Sequence, residues 1–170
     1  MKVEIKELLF GPNDDIEQLV VKEIDKAERE INIMVFWFTW KPIADALLRA
    51  SSRGVKVNLI LDSRSAEVKQ KDVDVERELV VPKYLSDSGF REEKIRIYDG
   101  ELLHHKIILI DAERVLMGSC NFFNGSIKRH EEHYMLAIGS ELYDVFFEKF
   151  KELWRENSTT YSDFKRYNNE

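Results

Sequence analysis

Between Ile31 and Phe38 the chain is apolar on both side-chain parities, with Asn32 the one polar interruption, and this run constrains the fold more than any other feature. A strand with one face in water alternates apolar and polar residues. A strand apolar on both parities must be covered on both faces, which calls for a sheet layered between helices. Downstream, Lys41-Pro42 puts a proline in the first turn of a helix predicted over Ile43–Ser52, and Gly54 is placed to end it. Val55 to Leu61 is a second buried strand, so strand, helix and strand form a short parallel βαβ crossover. Before it, Val3 to Phe10 reads as an edge or half-buried strand ending at Gly11-Pro12-Asn13-Asp14. Ile16, Leu19, Val20, Ile24 and Ala27 then recur at helical spacing. The expectation is an α/β fold, a mixed and mostly parallel sheet with helices on both faces, in a single domain over residues 1–156.

A second feature carries chemistry. The run His104-His105-Lys106-Ile107-Ile108-Leu109-Ile110-Asp111 is rich in apolar β-formers, and after six intervening residues come Gly118-Ser119-Cys120-Asn121. In a strand, i and i+2 share a face, so His104 and Lys106 point the same way and His105 points opposite. Asp111 falls on the other parity and closes the strand at the turn Asp111-Ala112-Glu113-Arg114, a place to hold the turn or Lys106 and not to attack a substrate. After a return strand, Val115-Leu116-Met117, a kink at Gly118 exposes the side chains of Ser119 and Asn121. A nucleophile, a fixed cation and hydrogen-bond donors on one hairpin suit a phosphodiester. Such an ester needs a nucleophile, neutralised equatorial oxygens and a protonated leaving group.

The spacing of His104, Lys106, Asp111, Gly118, Ser119 and Asn121 resembles the HxKxxxxD…GSxN signature of the phospholipase D superfamily, and Glu132 sits where single-motif members place an acid that orients the histidine. The stretch Phe38-Thr39, Ile43 to Leu47, Arg53 to Val57 and Leu59 to Asp62 is similar to the unit before the motif in the small bacterial endonucleases of that superfamily. The resemblance implies catalysis by His104, Lys106, Asn121 and Glu132: a phosphohistidine at His104, with Lys106, Ser119 and Asn121 on the non-bridging oxygens and Glu132 fixing the His104 tautomer. Asp111 and Gly118 are then structural. It also implies no cofactor and no metal, a nucleic acid (DNA or RNA) as substrate, and a homodimer in which one His104 attacks and the other protonates the leaving oxygen. His105, His130 and His133 are the alternative acids. A lipid phosphodiesterase and a catalytically silent phosphate-binding module are the competing functions.

Composition narrows the rest. One cysteine leaves no disulfide framework or multi-cysteine zinc site, and Cys120 reads as a small buried residue. A net charge of −6 argues against a broad basic surface, so nucleic-acid contacts must be local, with Lys94, Arg96, Lys128 and Arg129 as candidates. Phe36, Trp37, Phe38 and Trp40 read as core or dimer interface, with base stacking as the alternative. Met1 to Phe10 lacks an apolar signal core and Ile31 to Trp40 is too short to span a bilayer, so no membrane attachment and a cytoplasmic location are expected. Residues 63–89 read as a mobile or partly helical excursion that carries the charged run Glu67 to Asp72 and brings Tyr84-Leu85 near Phe90. A strand at Ile95–Tyr98 follows, then after the motif a short helix or loop over Phe122–Arg129, a strand over Tyr134–Ile138 and an amphipathic helix over Glu141–Trp154. Residues 157–170 read as a polar tail with Tyr161, Phe164 and Tyr167 available for docking.

Overall fold

The computed structural model describes residues 1–67 and 79–168. Its centre is an eight-stranded sheet built from β1 (Glu4–Gly11), β2 (Glu30–Val35), β3 (Lys56–Asp62), β4 (Ile95–Tyr98), β5 (Lys106–Ile110), β6 (Arg114–Gly118), β7 (Glu132–Ile138) and β8 (Ser158–Thr160), in the order β1-β7-β6-β5-β2-β3-β4-β8. The helices are α1 (Ile16–Asp25), α2 (Lys41–Ser52), the short α3 (Ser63–Glu67) and α4 (Val81–Asp87), α5 (Asn124–Lys128), α6 (Ser140–Glu156) and α7 (Tyr161–Asn168). The charged run from Val68 onward lies outside the described residues.

The sheet is mixed, as the sequence implies, but the balance of directions is the reverse of the expected one. Only β2–β3 and β3–β4 pair in parallel; β1–β7, β7–β6, β6–β5, β5–β2 and β4–β8 are antiparallel. An apolar run records that a strand is covered on both faces, not the direction of its neighbours, and β2 takes a parallel partner on one side and an antiparallel one on the other.

Both faces are covered. Ile31, Ile33 and Val35 join Leu59, Ile108 and Leu116 under Ile16, Val20, Ile43 and Leu47 of α1 and α2. On the opposite face Met34, Ile60, Leu109 and Val115 meet Tyr143, Phe150 and Leu153 of α6. Local signals set the helix ends: the Asp15 side chain accepts from the Gln18 N–H at 3.0 Å to cap α1, Pro42 opens α2, and Gly54 at φ 89° follows its last turn. Residues 158–160 add β8 to the sheet edge beside β4, and α7 buries Tyr161 and packs Phe164 against the core but leaves Tyr167 exposed. Among the described residues no helix is long and apolar enough to cross a membrane.

Candidate active site

β5 begins at Lys106, so His104 and His105 lie on the approach to the strand and not within it. The His105 carbonyl accepts from the Phe36 N–H at 2.9 Å, which ties this approach to the end of β2. His104 is exposed, its ring 5.2 Å from that of Phe36. Lys106 is 6% exposed; its ammonium donates to the His104 carbonyl at 2.8 Å and sits 5.5 Å from the Phe36 ring centre. Burial pulls the pKa of this ammonium down while Glu132 pushes it up. A cation so desolvated, bonded among the described residues only to a neutral carbonyl, is set to receive an anion.

Gly118 lets β6 and β7 close on this spot, since a Cβ there would lie 2.1 Å from the His133 carbonyl oxygen. Beyond it, the Ser119 hydroxyl donates to one oxygen of Glu132 and accepts from the His133 N–H at 3.1 Å. The other Glu132 oxygen accepts from Ser126, 2.5 Å away, and Ser126 accepts from the Asn121 N–H at 2.9 Å. Glu132 thus reaches the site through two serines, and no hydrogen bond joins it to His104. The Asn121 Oδ1 is buried without a hydrogen-bond partner among the described residues. Burial drives the Cys120 thiol up to about 12, which leaves it unreactive beside these groups.

A cavity of about 540 Å³ opens here, and His104, Lys106 and Ser119 line it. His105 and His133 line it too, so the simple alternation that turns His105 away does not hold outside the strand. Burial, followed by Lys149, Lys106 and His104, holds the His105 imidazole below its ordinary pKa. His130 is exposed and faces Phe123 instead. Asp111 is not with the others. It sits at the far end of β5, about 17 Å away at 3.3 Å per residue, where its carboxylate accepts from the N–H groups of Glu28, Arg29 and Glu30 and pairs with Arg114.

The candidate nucleic-acid cations do not converge on the site: Lys128 pairs with Glu17, and Arg96 donates to the Ser158 carbonyl and stacks on Trp154. Phe38 and Trp40 are core, while Phe36 and Trp37 are half-buried. Ser126 is the residue of this hydrogen-bonded network that sequence reasoning missed. A serine in a short helix after a motif carries no signal of its own; only the fold shows that it joins Asn121 to Glu132. Among the described residues no three His, Cys, Asp or Glu side chains converge as metal ligands.

Residues 20–154 match the family model described as "Cardiolipin synthase, PLD-like domain". The chain is 26% identical over 149 residues to the phospholipase D of Rickettsia conorii, covering 83% of this chain and 65% of that protein. It is 27% identical over 131 residues to the mitochondrial cardiolipin hydrolase of Chlamydomonas reinhardtii, covering 77% and 54%. It therefore spans somewhat under two thirds of the length of these relatives. Among solved structures, the phospholipase D family member Nuc from Salmonella typhimurium superposes with a TM-score of 0.80 at 24% identity, covering 94% of this chain and 99% of that one. NucT from Helicobacter pylori gives 0.79 at 19% identity, covering 94% and 100%. A family match over most of the chain, on a fold shared with those structures, means that this chain belongs to the phospholipase D superfamily.

Proposed function

We propose that the chain is a metal-independent phosphodiesterase that cleaves DNA or RNA through a phosphohistidine, with an active site completed across a homodimer. One observation carries the chemistry: an exposed imidazole, His104, stands beside a buried and unneutralised ammonium, Lys106, in a cavity edged by Ser119. A nitrogen of His104 attacks phosphorus, and the bond to the leaving oxygen breaks as that oxygen takes a proton from a second imidazole. Water then attacks the phosphohistidine, returns its proton to that imidazole and frees His104. Lys106 and Ser119 bear the charge on the non-bridging oxygens. Glu132 and Ser126 hold Ser119 and the Asn121 backbone in place, and Asn121 donates to the phosphate.

The second imidazole comes from a partner in this reading. Supporting it, the sheet face beside the cavity is apolar and open: Met117 and Met135 line the cavity, and next to them on β1 Leu8 and Phe10 are 46% and 56% exposed. A second copy set there about a twofold axis buries that face and brings the two cavities together. Nucleic acid as substrate is supported by the likeness of the motif, and of the unit before it, to the small endonucleases of the superfamily. The names of the relatives, phospholipase D and cardiolipin hydrolase, favour a second reading in which the same groups cleave a lipid phosphodiester.

A cleavage panel of single- and double-stranded DNA, RNA, and phosphatidylcholine and cardiolipin vesicles, run in excess EDTA, tests both. Turnover of a nucleic acid that vanishes in His104→Ala, with acid-labile phosphate trapped on the wild-type protein, is the expected result. Turnover of lipid alone selects the second reading, and loss of all activity in chelator overturns the mechanism.

A further inference from the structure

Asn32, the polar interruption in the central strand, takes no part in the chemistry above. It is 1% exposed on the α6 face of the sheet, beside its register partner Asn58 on β3. The Asn58 amide donates to the Asn32 carbonyl oxygen at 2.8 Å, the Asn32 amide donates to the Tyr143 hydroxyl at 3.3 Å, and that hydroxyl donates to Glu30 at 2.8 Å. A chain of polar groups under a helix contributes less than apolar side chains of the same size would, so it calls for a use.

The network floors a second cavity, of about 250 Å³, near the start of β2 and β3 and roughly 13 Å along the strand from Phe36 at 3.3 Å per residue. One wall is a ladder of rings, with Phe147 and Phe150 inclined by 11° and Phe150 and Trp154 by 28°. Because Asn58 donates its N–H to Asn32 and is itself half-buried, its carbonyl oxygen is left as an acceptor at the floor. Lys94, Lys151 and Arg155 stand at the rim, and Lys94 and Arg155 have no ion-pair partner among the described residues. The one carboxylate there, Glu30, is engaged by Tyr143.

We propose that this cavity is a nucleotide-binding site separate from the catalytic one. The base lies along the ring ladder with an exocyclic amine donating to Asn58, and the phosphate meets Lys94 and Arg155 at the rim. The rings stack on one another and carry Lys151 and Arg96 on Phe147 and Trp154, so the base meets their edges; this aromatic wall, an edge-reading amide and unpaired cations occur together here, and each matches one part of a nucleotide. The assignment does not depend on the catalytic reading.

Calorimetric titration of the whole chain with AMP, CMP, GMP and UMP, with ribose 5-phosphate and inorganic phosphate as probes lacking a base, tests it. Binding is expected for at least one of the amine-bearing nucleotides, AMP, CMP or GMP, tighter than for UMP and at least about tenfold tighter than for ribose 5-phosphate. Asn58→Leu should weaken it about tenfold and Lys94→Glu about fivefold, as for loss of one hydrogen bond and one partly solvated charge. Lys106→Ala, which removes the catalytic anion site, should leave this base-dependent component of binding in place. Asn58→Leu leaves Asn32 short of a donor, so Lys94→Glu at the surface keeps the test valid if the former misfolds. Failure of every nucleotide to bind, equal binding of ribose 5-phosphate, or loss of binding in Lys106→Ala with none in Lys94→Glu would each overturn the assignment.

Discussion

Replacing Asp111 with alanine separates the chemistry of the motif from its architecture. The carboxylate is 7% exposed and accepts three backbone N–H bonds, from Glu28 at 3.0 Å, Arg29 at 2.8 Å and Glu30 at 3.0 Å, as well as the Arg114 guanidinium at 2.6 Å. Its own backbone is left-handed, at φ 54°, where Asp is better tolerated than most residues. A hydrogen bond to a charged acceptor contributes about 1.5–3 kcal/mol, but four such bonds do not add, because Glu28 and Arg29 lie at the surface and water replaces part of what is lost. Loss of one partner from a largely buried ion pair costs about 3–5 kcal/mol, and that is the expected destabilisation. For a chain of this size it lowers Tm by roughly 6–20 °C. Urea unfolding followed by circular dichroism reads the loss, and kcat measured well below the new Tm should stay within about twofold of wild type, since the carboxylate lies about 17 Å from Lys106. A variant with the wild-type urea midpoint and a hundredfold lower kcat would put Asp111 in the chemistry and refute this reasoning. Acid should mimic the mutation. Burial raises the Asp111 pKa, but the backbone N–H bonds and Arg114 outweigh it and hold the group below the ordinary Asp range, so its stabilisation is full above that range and fades as pH falls through the lowered value.

Ser126→Ala removes the hydroxyl that joins Asn121 to Glu132 and should lower kcat by about ten- to a hundredfold with KM little changed, as for an interaction felt mainly in the transition state; an unchanged kcat would mean that Glu132 is held by Ser119 alone. Co-refolding equal amounts of wild type and His104→Asn should leave about a quarter of the activity of the same mass of wild type if the site is shared, and about half if each protomer is self-sufficient. His105, held below its ordinary pKa chiefly by burial, binds its proton less readily folded than unfolded, so its neutral form favours the fold and stability declines as pH falls through the ordinary imidazole range. His105→Gln should flatten the urea midpoint between pH 8 and 5.5, and an equal decline in both proteins would assign the pH dependence elsewhere.

Much of this was written in the order of residues along the chain. The βαβ unit and the hairpin follow from short-range rules: a proline at a helix start, a glycine after its end, apolar runs bounded by turn residues. Alternation marks its own limit. It separates His104 from His105 inside a strand, yet both residues precede β5 and both line the cavity. What local patterning does not contain is where a segment goes once formed. That Asp111 caps the turn at residues 28–30, some eighty positions earlier, depends on β5 lying beside β2. The excess of antiparallel pairs depends on the same placement, because burial of an apolar run is satisfied by a neighbour of either direction. Ser126 gains its role only because the chain after Asn121 folds back so that α5 and the start of β7 enclose one carboxylate. The types of side chain proposed for the chemistry, and their spacing along the chain, belong to the sequence. Which of them meet is decided by packing, since contacts between distant segments form only when the whole apolar core does.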